Sequence, residues 1–227
     1  MKHDDTQKVQ FLQAEGDAWY RRNREALAAE SPLRDSFARR IAAHLPVTKG
    51  TPASVLEIGA GDGANLAALA RIASVDAHGL EPSAQAVEAG RTANPALHLR
   101  CGTADDLPYA AASFDVVWFG FCLYLVDRPL LFRCVSEADR VLRPGGAVAI
   151  VDFDPGMPTR RSYHHRPGVW SYKMDYSSLF LAHPDYRLAE KISGSHSELR
   201  WADDPQERVA LWICRKDPEH AYQTVTS

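Results

Sequence analysis

The chain predicts an α/β fold, a doubly wound and mostly parallel sheet. Three observations carry this reading. Between residues 53 and 153 short apolar runs alternate with helix-length segments, the pattern of right-handed βαβ crossovers. The first run ends in a glycine-spaced turn, Gly59-Ala60-Gly61-Asp62-Gly63, that opens directly into helical spacing at Leu66, Leu69, Ala70 and Ala73. Two later runs, 114–119 and 147–153, are apolar on both faces, as strands covered by helices on both sides must be.

Ahead of this region, residues 11–44 read as two helices broken near Ser31-Pro32. In the second, Leu33, Phe37, Ile41 and Leu45 recur every four residues, with Arg34, Arg39 and Arg40 off the stripe. The first carries Trp19-Tyr20-Arg21-Arg22-Asn23. Aromatic and guanidinium groups side by side suit plain cover of a sheet face, and equally a lid over a charged ligand. Pro46 and Lys49-Gly50-Thr51-Pro52 end the pair and form a linker. Residues 1–52 are therefore expected to form a helical cover or lid, 53–216 the main domain and 217–227 a frayed tail.

Within the main domain the elements follow in order. The strand at 54–58 leads to a helix at 62–73, and the strand at 75–80 to a helix at 84–92 that Ser83 can cap. Asn94-Pro95 breaks that helix before a strand at 97–101. A turn-rich stretch, 102–112, precedes the strand at 114–119. The amphipathic segment 129–142 turns Leu130, Cys134, Ala138, Val141 and Leu142 inward, and Arg143-Pro144-Gly145-Gly146 ends it before the strand at 147–153. The alternation then stops. Residues 154–185 make a basic, turn-rich excursion with Arg160, Arg161, His164, His165 and Arg166, the length of a functional cover. A short helix is expected at 172–180, then two last strands at 186–193 and 207–215 around a polar hairpin.

Composition narrows the class of function. A net charge of -3 supplies no positive field for nucleic acid or an anionic membrane. No apolar run approaches a membrane span, and the start, MKHDDTQKVQ, has no apolar signal core, so a cytoplasmic location is expected. Cys101, Cys122, Cys134 and Cys214 are scattered without ligand spacing, so free thiols and no metal are expected.

The chemistry falls at the carboxyl ends of successive strands. Glycines in the first turn let backbone approach a ligand closely, and the following helix offers unpaired N–H groups and a partial positive charge. Glu57 stands two residues before Gly59, where a carboxylate either braces loop amides or accepts from a ligand ammonium. Glu81 ends the second strand, where a carboxylate can accept both hydroxyls of a ribose, in NAD or another adenosine ligand. After the third strand comes Gly102-Thr103-Ala104-Asp105-Asp106-Leu107-Pro108-Tyr109, in which Asp105 or Asp106 could accept from an adenine amine. A GxGxxG loop cradles a pyrophosphate. Here Asp62 adds negative charge at that place, which a sulfonium-bearing zwitterion tolerates better.

Residues 56–63, Glu81-Pro82-Ser83, and residues 102–109, 113–117 and 142–146 together follow the order LEIGxGxG, E, GxAEDLPF, SFDVV, LRPGG. In this the chain resembles class I S-adenosylmethionine-dependent methyltransferases of the small-molecule type, over about residues 53–153. The resemblance implies a Rossmann-like, seven-stranded sheet with an antiparallel last strand at 207–215, a helical N-terminal cover and an insertion after strand five. It implies S-adenosyl-L-methionine as cofactor and S-adenosyl-L-homocysteine as product. Gly59, Ala60 and Gly61 would pass under the methionine part, Glu81 with Pro82 would hold the ribose, and Thr103, Ala104 and Asp105 would border the adenine. Phe119 and Gly120 would line the sulfonium end. Two departures stand out: Thr103 replaces a common aspartate, and Leu123-Tyr124-Leu125 replaces LHH. A general base, where the acceptor needs one, is therefore sought at Tyr124, or at His164 and His165 in the excursion. The expected reaction is methyl transfer to an O or N nucleophile of a small molecule, anionic or sugar-linked if the arginines of the excursion bind it. Two other classes share the sheet: an NAD-dependent oxidoreductase and a cofactor-binding protein without turnover. Nucleic-acid methylation is disfavoured by charge and by the absence of an Asn/Asp-Pro-Pro-Tyr/Phe run after strand four.

Overall fold

The computed structural model describes residues 6–46, 50–196, 198 and 200–222. Parts of the expected linker (Lys49), hairpin and tail lie outside these. Seven strands form one sheet in the order β3-β2-β1-β4-β5-β9-β8. They are β1 (Ala53–Ile58), β2 (Val75–Glu81), β3 (His98–Cys101), β4 (Phe114–Gly120), β5 (Leu142–Phe153), β8 (Tyr186–Gly194) and β9 (Val209–Lys216). The first five pair in parallel, while β9 runs antiparallel to both β5 and β8. Chain order reverses between β1 and β4, whose ends pair at Ile58 and Phe119. A crevice at the carboxyl ends of such strands is where this architecture binds ligands.

Period-two alternation divides the sheet residues between two cores. Leu56, Ile58, Leu80, Val117, Phe119 and Ile150 pack with α6 (Leu131–Val141) and α7 (Ser177–Leu181). Val55, Ala77, Val116, Trp118 and Ala149 pack with α3 (Pro32–Ala42), α4 (Ala64–Ala70) and α5 (Ala84–Ala93). The N-terminal helix runs from α1 (Gln7–Gln10) through a π-turn (Phe11–Glu15) into α2 (Gly16–Ala28). Ser31 then caps α3 by accepting from Arg34 N, the job a serine before a helix does best.

Three elements differ from the sequence expectation. Helix α4 begins at Ala64 rather than 62, because Gly63 adopts a left-handed φ of 80° to close the turn. Strand β5 begins at Leu142, which pairs with Phe114 ahead of a register shift, so Arg143–Gly146 is a bulge inside the strand. The excursion after β5 is not an unstructured loop. It folds into an antiparallel hairpin of β6 (Thr159–Ser162) and β7 (Trp170–Lys173). Strand β7 takes the chain as far as Lys173, so the helix starts only at Ser177. No helix among the described residues is long and apolar enough to cross a membrane.

Candidate functional site

The chain leaves β1 through three residues that only glycine adopts without strain. Gly59, Gly61 and Gly63 have φ of 78°, 55° and 80°. Gly59 N and Ala60 N both donate to Leu80 O, at 2.8 and 3.2 Å, folding the loop across the end of β2. A Cβ on Gly59 would stand 2.6 Å from Cys122 Cβ. Glu81 then takes the loop in hand: Oε2 accepts from Gly61 N at 3.0 Å and Oε1 from Ser83 N at 2.9 Å. Burial raises its carboxyl to about 7 against these two bonds, which lower it. Glu57 lies beneath, fully buried, its Oε1 accepting from Asn65 Nδ2 at 2.6 Å. Its Oε2 has no partner, and burial pushes the carboxyl to about 8. A buried, half-satisfied carboxyl is costly.

Above the loop opens a cleft of about 870 Å³ including its solvent-open part, within the range of ligand sites. Gly59, Glu81 and Pro82 form its floor, Gly102 to Asp105 one side, and Gly120, Phe121, Cys122 and Tyr124 the other. Lys8, Phe11 and Trp19 of the N-terminal helix close it from above.

That roof is anchored at both ends. Asp127 accepts from Gln7 N and Lys8 N at 3.1 and 2.8 Å, capping the helix from the loop after β4. Gln7 Nε2 donates to Leu125 O at 2.8 Å, and Gln7 Oε1 accepts from Trp170 N at 2.7 Å. Lys8 Nζ reaches Asp105 Oδ2 at 2.7 Å. At the other end Asp17 accepts from Ser83 Oγ at 2.7 Å and from Gln85 N at 3.1 Å, and Asp62 in the glycine loop lies close enough to the Tyr20 phenol to help raise its pKa. Between them the helix nearly touches the turn after β2: a Cβ on Gly16 would lie 3.2 Å from Ser83 N. Buried Glu15 binds Arg22 at 2.5 Å, and Arg22 reaches the Tyr163 hydroxyl at 3.2 Å, joining roof to hairpin.

Of the residues expected at the site, Gly59, Glu81, Pro82, Thr103, Ala104, Asp105, Gly120 and Tyr124 line this one cleft. Ala60 is buried behind it, and a Cβ on Gly61 would face open space towards Leu27. Asp105 is not a free acceptor: the Lys8 ammonium bonded to it, with help from the nearby Thr103 hydroxyl, outweighs burial and holds its carboxyl below the usual range.

Two expectations fail on placement. Phe119 does not line the cleft. Strand alternation turns it into the core, fully buried with its ring 6.2 Å from Phe180. Phe121 lines the cleft instead, at a φ of 58° that is rare for a bulky residue. His164 and His165 are exposed on the turn of the hairpin, their rings 3.8 Å apart, and neither lines the cleft. Tyr163 takes the inward position there. Tyr124 is in place, but burial holds its phenol far above its usual range, against the lowering influence of the nearby Trp19 indole. It is protonated at neutral pH and cannot serve there as a resting base.

Sequence reasoning also missed the wall beside Tyr124. Phe121, Tyr124 and Phe153 pack edge to face, with centroids 4.9 to 5.4 Å apart. The His196 ring lies 5.5 Å from Phe121 and 5.2 Å from Phe153. The His196 pKa is lowered from its ordinary value, chiefly by desolvation of the ring. Behind the wall, fully buried Asp152 accepts from Tyr124 N at 3.2 Å and Phe153 N at 2.8 Å.

The sheet order, the glycine turn and the acid at the end of β2 define the class I S-adenosylmethionine-dependent methyltransferase fold. Residues 56–150 match the family described as "Methyltransferase domain". It is 35% identical over 131 residues to a demethylmenaquinone methyltransferase of Tropheryma whipplei, covering 53% of this chain and 50% of that protein. It is 33% identical over 120 residues to the 27-O-demethylrifamycin SV methyltransferase of Amycolatopsis mediterranei, covering 50% and 43%. The chain thus spans about half the length of the curated relatives it matches. Among solved structures, the 1,6-didemethyltoxoflavin-N1-methyltransferase of Burkholderia thailandensis, crystallised with 1,6-didemethyltoxoflavin and S-adenosylhomocysteine, superposes at a TM-score of 0.71. That match has 15% identity and covers 92% of this chain and 88% of that one, a likeness of fold.

Proposed function

We propose that the protein transfers the methyl group of S-adenosyl-L-methionine to an O or N nucleophile of a small molecule. The observation that carries this reading is the single cleft floored by the glycine loop and Glu81 and roofed by the N-terminal helix. The residues present fit the cofactor. Glu81 keeps a lone pair on each oxygen for ribose hydroxyls, and Thr103, Ala104 and Asp105 offer the side on which an adenine edge would lie. Gly59, Ala60 and Gly61 leave room for the methionine part, and the unpartnered Oε2 of Glu57 suits its ammonium. When bound, the cofactor supplies a methyl on a sulfonium: an acceptor lone pair forms the new bond to that carbon while the carbon–sulfur electrons stay on sulfur.

The protein's own part is alignment and exclusion of water. Gly120, Phe121 and Cys122 border the end of the cleft beside the aromatic wall, so the acceptor would stand against Phe121 and Tyr124. A rigid wall of rings favours a flat, apolar acceptor. Arg160, Arg161 and Arg166 do not line the cleft, so an anionic acceptor draws no support from it. The exposed His196 ring packs on this wall without lining the cleft, so among the described residues no imidazole stands there as a base.

Thermal-shift titration with S-adenosylhomocysteine and with NAD tests the first step: the former is expected to stabilise the protein and the latter not. The reverse result would make it an oxidoreductase. Incubation with labelled cofactor and a metabolite extract tests the second. Binding without transfer of label would leave a cofactor-binding protein without turnover.

A further inference from the structure

At the β3 edge of the sheet, three metal-ligating side chains meet that the cleft does not use. In the parallel register His78 on β2 stands opposite His98 on β3. Asp76 lies two residues before His78 and so on the same face. The two imidazoles stack with centroids 4.7 Å apart. Asp76 Oδ1 is 3.2 Å from His78 Nε2 and 3.4 Å from His98 Nε2, and all three ligand atoms lie within 4.8 Å of one another. A tetrahedral ion with ligand bonds of about 2.0–2.1 Å holds its ligand atoms about 3.3 Å apart. Two of the three edges already have that length.

We propose that Asp76, His78 and His98 bind one divalent transition-metal ion of the zinc type. Two imidazoles and a carboxylate favour such an ion over magnesium or calcium, which prefer oxygen throughout. The rings of Phe114 and Tyr109, 5.3 and 5.8 Å away, pack edge to face against His78 and fix its orientation. His78 Nδ1 is buried without a partner. Coordination through Nε2 places the ring proton on Nδ1, which leaves the count of orphaned ring nitrogens where it stands. His98, with 59% of its side chain exposed, leaves a path for entry from solvent. The ion would fasten β3, a four-residue strand paired only with β2, to the rest of the sheet. Its role is structural, separate from methyl transfer.

Calorimetric titration of the tag-free full chain with Zn²⁺ tests this. One equivalent is expected to bind, and His98→Ala, at an exposed position, to weaken it about tenfold or more. Asp76→Asn should repeat the loss, while His220→Ala, whose ring pairs with Asp217 elsewhere, should bind as the wild type does. The cobalt form should show tetrahedral absorption bands that His98→Ala lacks. Absence of binding in the wild type, or equal binding in His98→Ala, would overturn the proposal.

Discussion

The backbone N–H of Gly61 donates to Glu81 Oε2 at 3.0 Å, so the acid that ends β2 shapes the glycine loop as well as facing the cleft. Removing it takes a brace from the loop and, on the binding mode proposed above, the acceptor from a ligand ribose. Glu81→Ala is therefore expected to weaken S-adenosylhomocysteine binding by about 1–3 kcal/mol, roughly 5- to 150-fold. Wild-type affinity in calorimetry would remove Glu81 from the site.

Much of this was legible in the chain because its signals are local. The strand–turn–helix at Gly59–Gly63 and the acid after β2 are spacings within one βαβ unit, and backbone geometry turns them directly into a crevice. Phe119 shows where local reading fails: which of two adjacent phenylalanines faces the cleft depends on strand phase and on the left-handed turn at Phe121. Lys8 and Gln7 carry no motif, and their partners lie 97 and 163 residues away. His78 and His98 become neighbours only through the β2–β3 register. The basic excursion was read by composition, which marks charge but does not say which side chains turn inward.

The ion pair between Lys8 and Asp105 gives the roof helix a latch inside the cleft. Asp105 is 7% exposed and Lys8 31%, so truncating Lys8 leaves a largely buried carboxylate without its ammonium partner. Lys8→Ala is expected to loosen the roof by about 1 kcal/mol, raising the dissociation rate of S-adenosylhomocysteine about fivefold. Lys8→Arg should restore much of it. A stopped-flow rate unchanged in Lys8→Ala would mean that this helix does not gate the cleft.

On the binding mode proposed above, Glu57 would make cofactor binding a proton-releasing event. Its carboxyl, raised from 4.5 to about 8 by burial, holds its proton at pH 7. A ligand ammonium beside Oε2 favours the ionised form, so binding at pH 7 should release a proton, and binding near pH 9 should not. Calorimetry in buffers of different ionisation enthalpy reads this directly, and Glu57→Gln should abolish it. The same shift has a sign for folding. Because the folded carboxyl keeps its proton where the unfolded one has lost it, its contribution is full below about pH 4.5 and is lost as pH rises towards 8. The ligand-free protein should lose thermal stability across that window, with a shallower slope in Glu57→Gln. Heat denaturation independent of pH from 5 to 8 would contradict the assignment.

Tyr124 sits where a base would be convenient, yet its surroundings keep the proton on. Burial is the largest cause, and the neighbouring Tyr163 and Asp152 add to it. A phenol in that state donates hydrogen bonds and fills space. Tyr124→Phe preserves the ring that packs on Phe121 and Phe153, so turnover of an acceptor found by labelled-cofactor screening should stay within about threefold. The double change His164→Ala and His165→Ala, on the exposed turn, should be equally mild. Loss of a general base ordinarily costs about 10²–10⁴ in rate, so the two outcomes are well separated. A fall of that size in Tyr124→Phe, with the basic limb of the kcat–pH profile removed, would reinstate Tyr124 as the proton acceptor and require a bound ligand to shift its pKa far down.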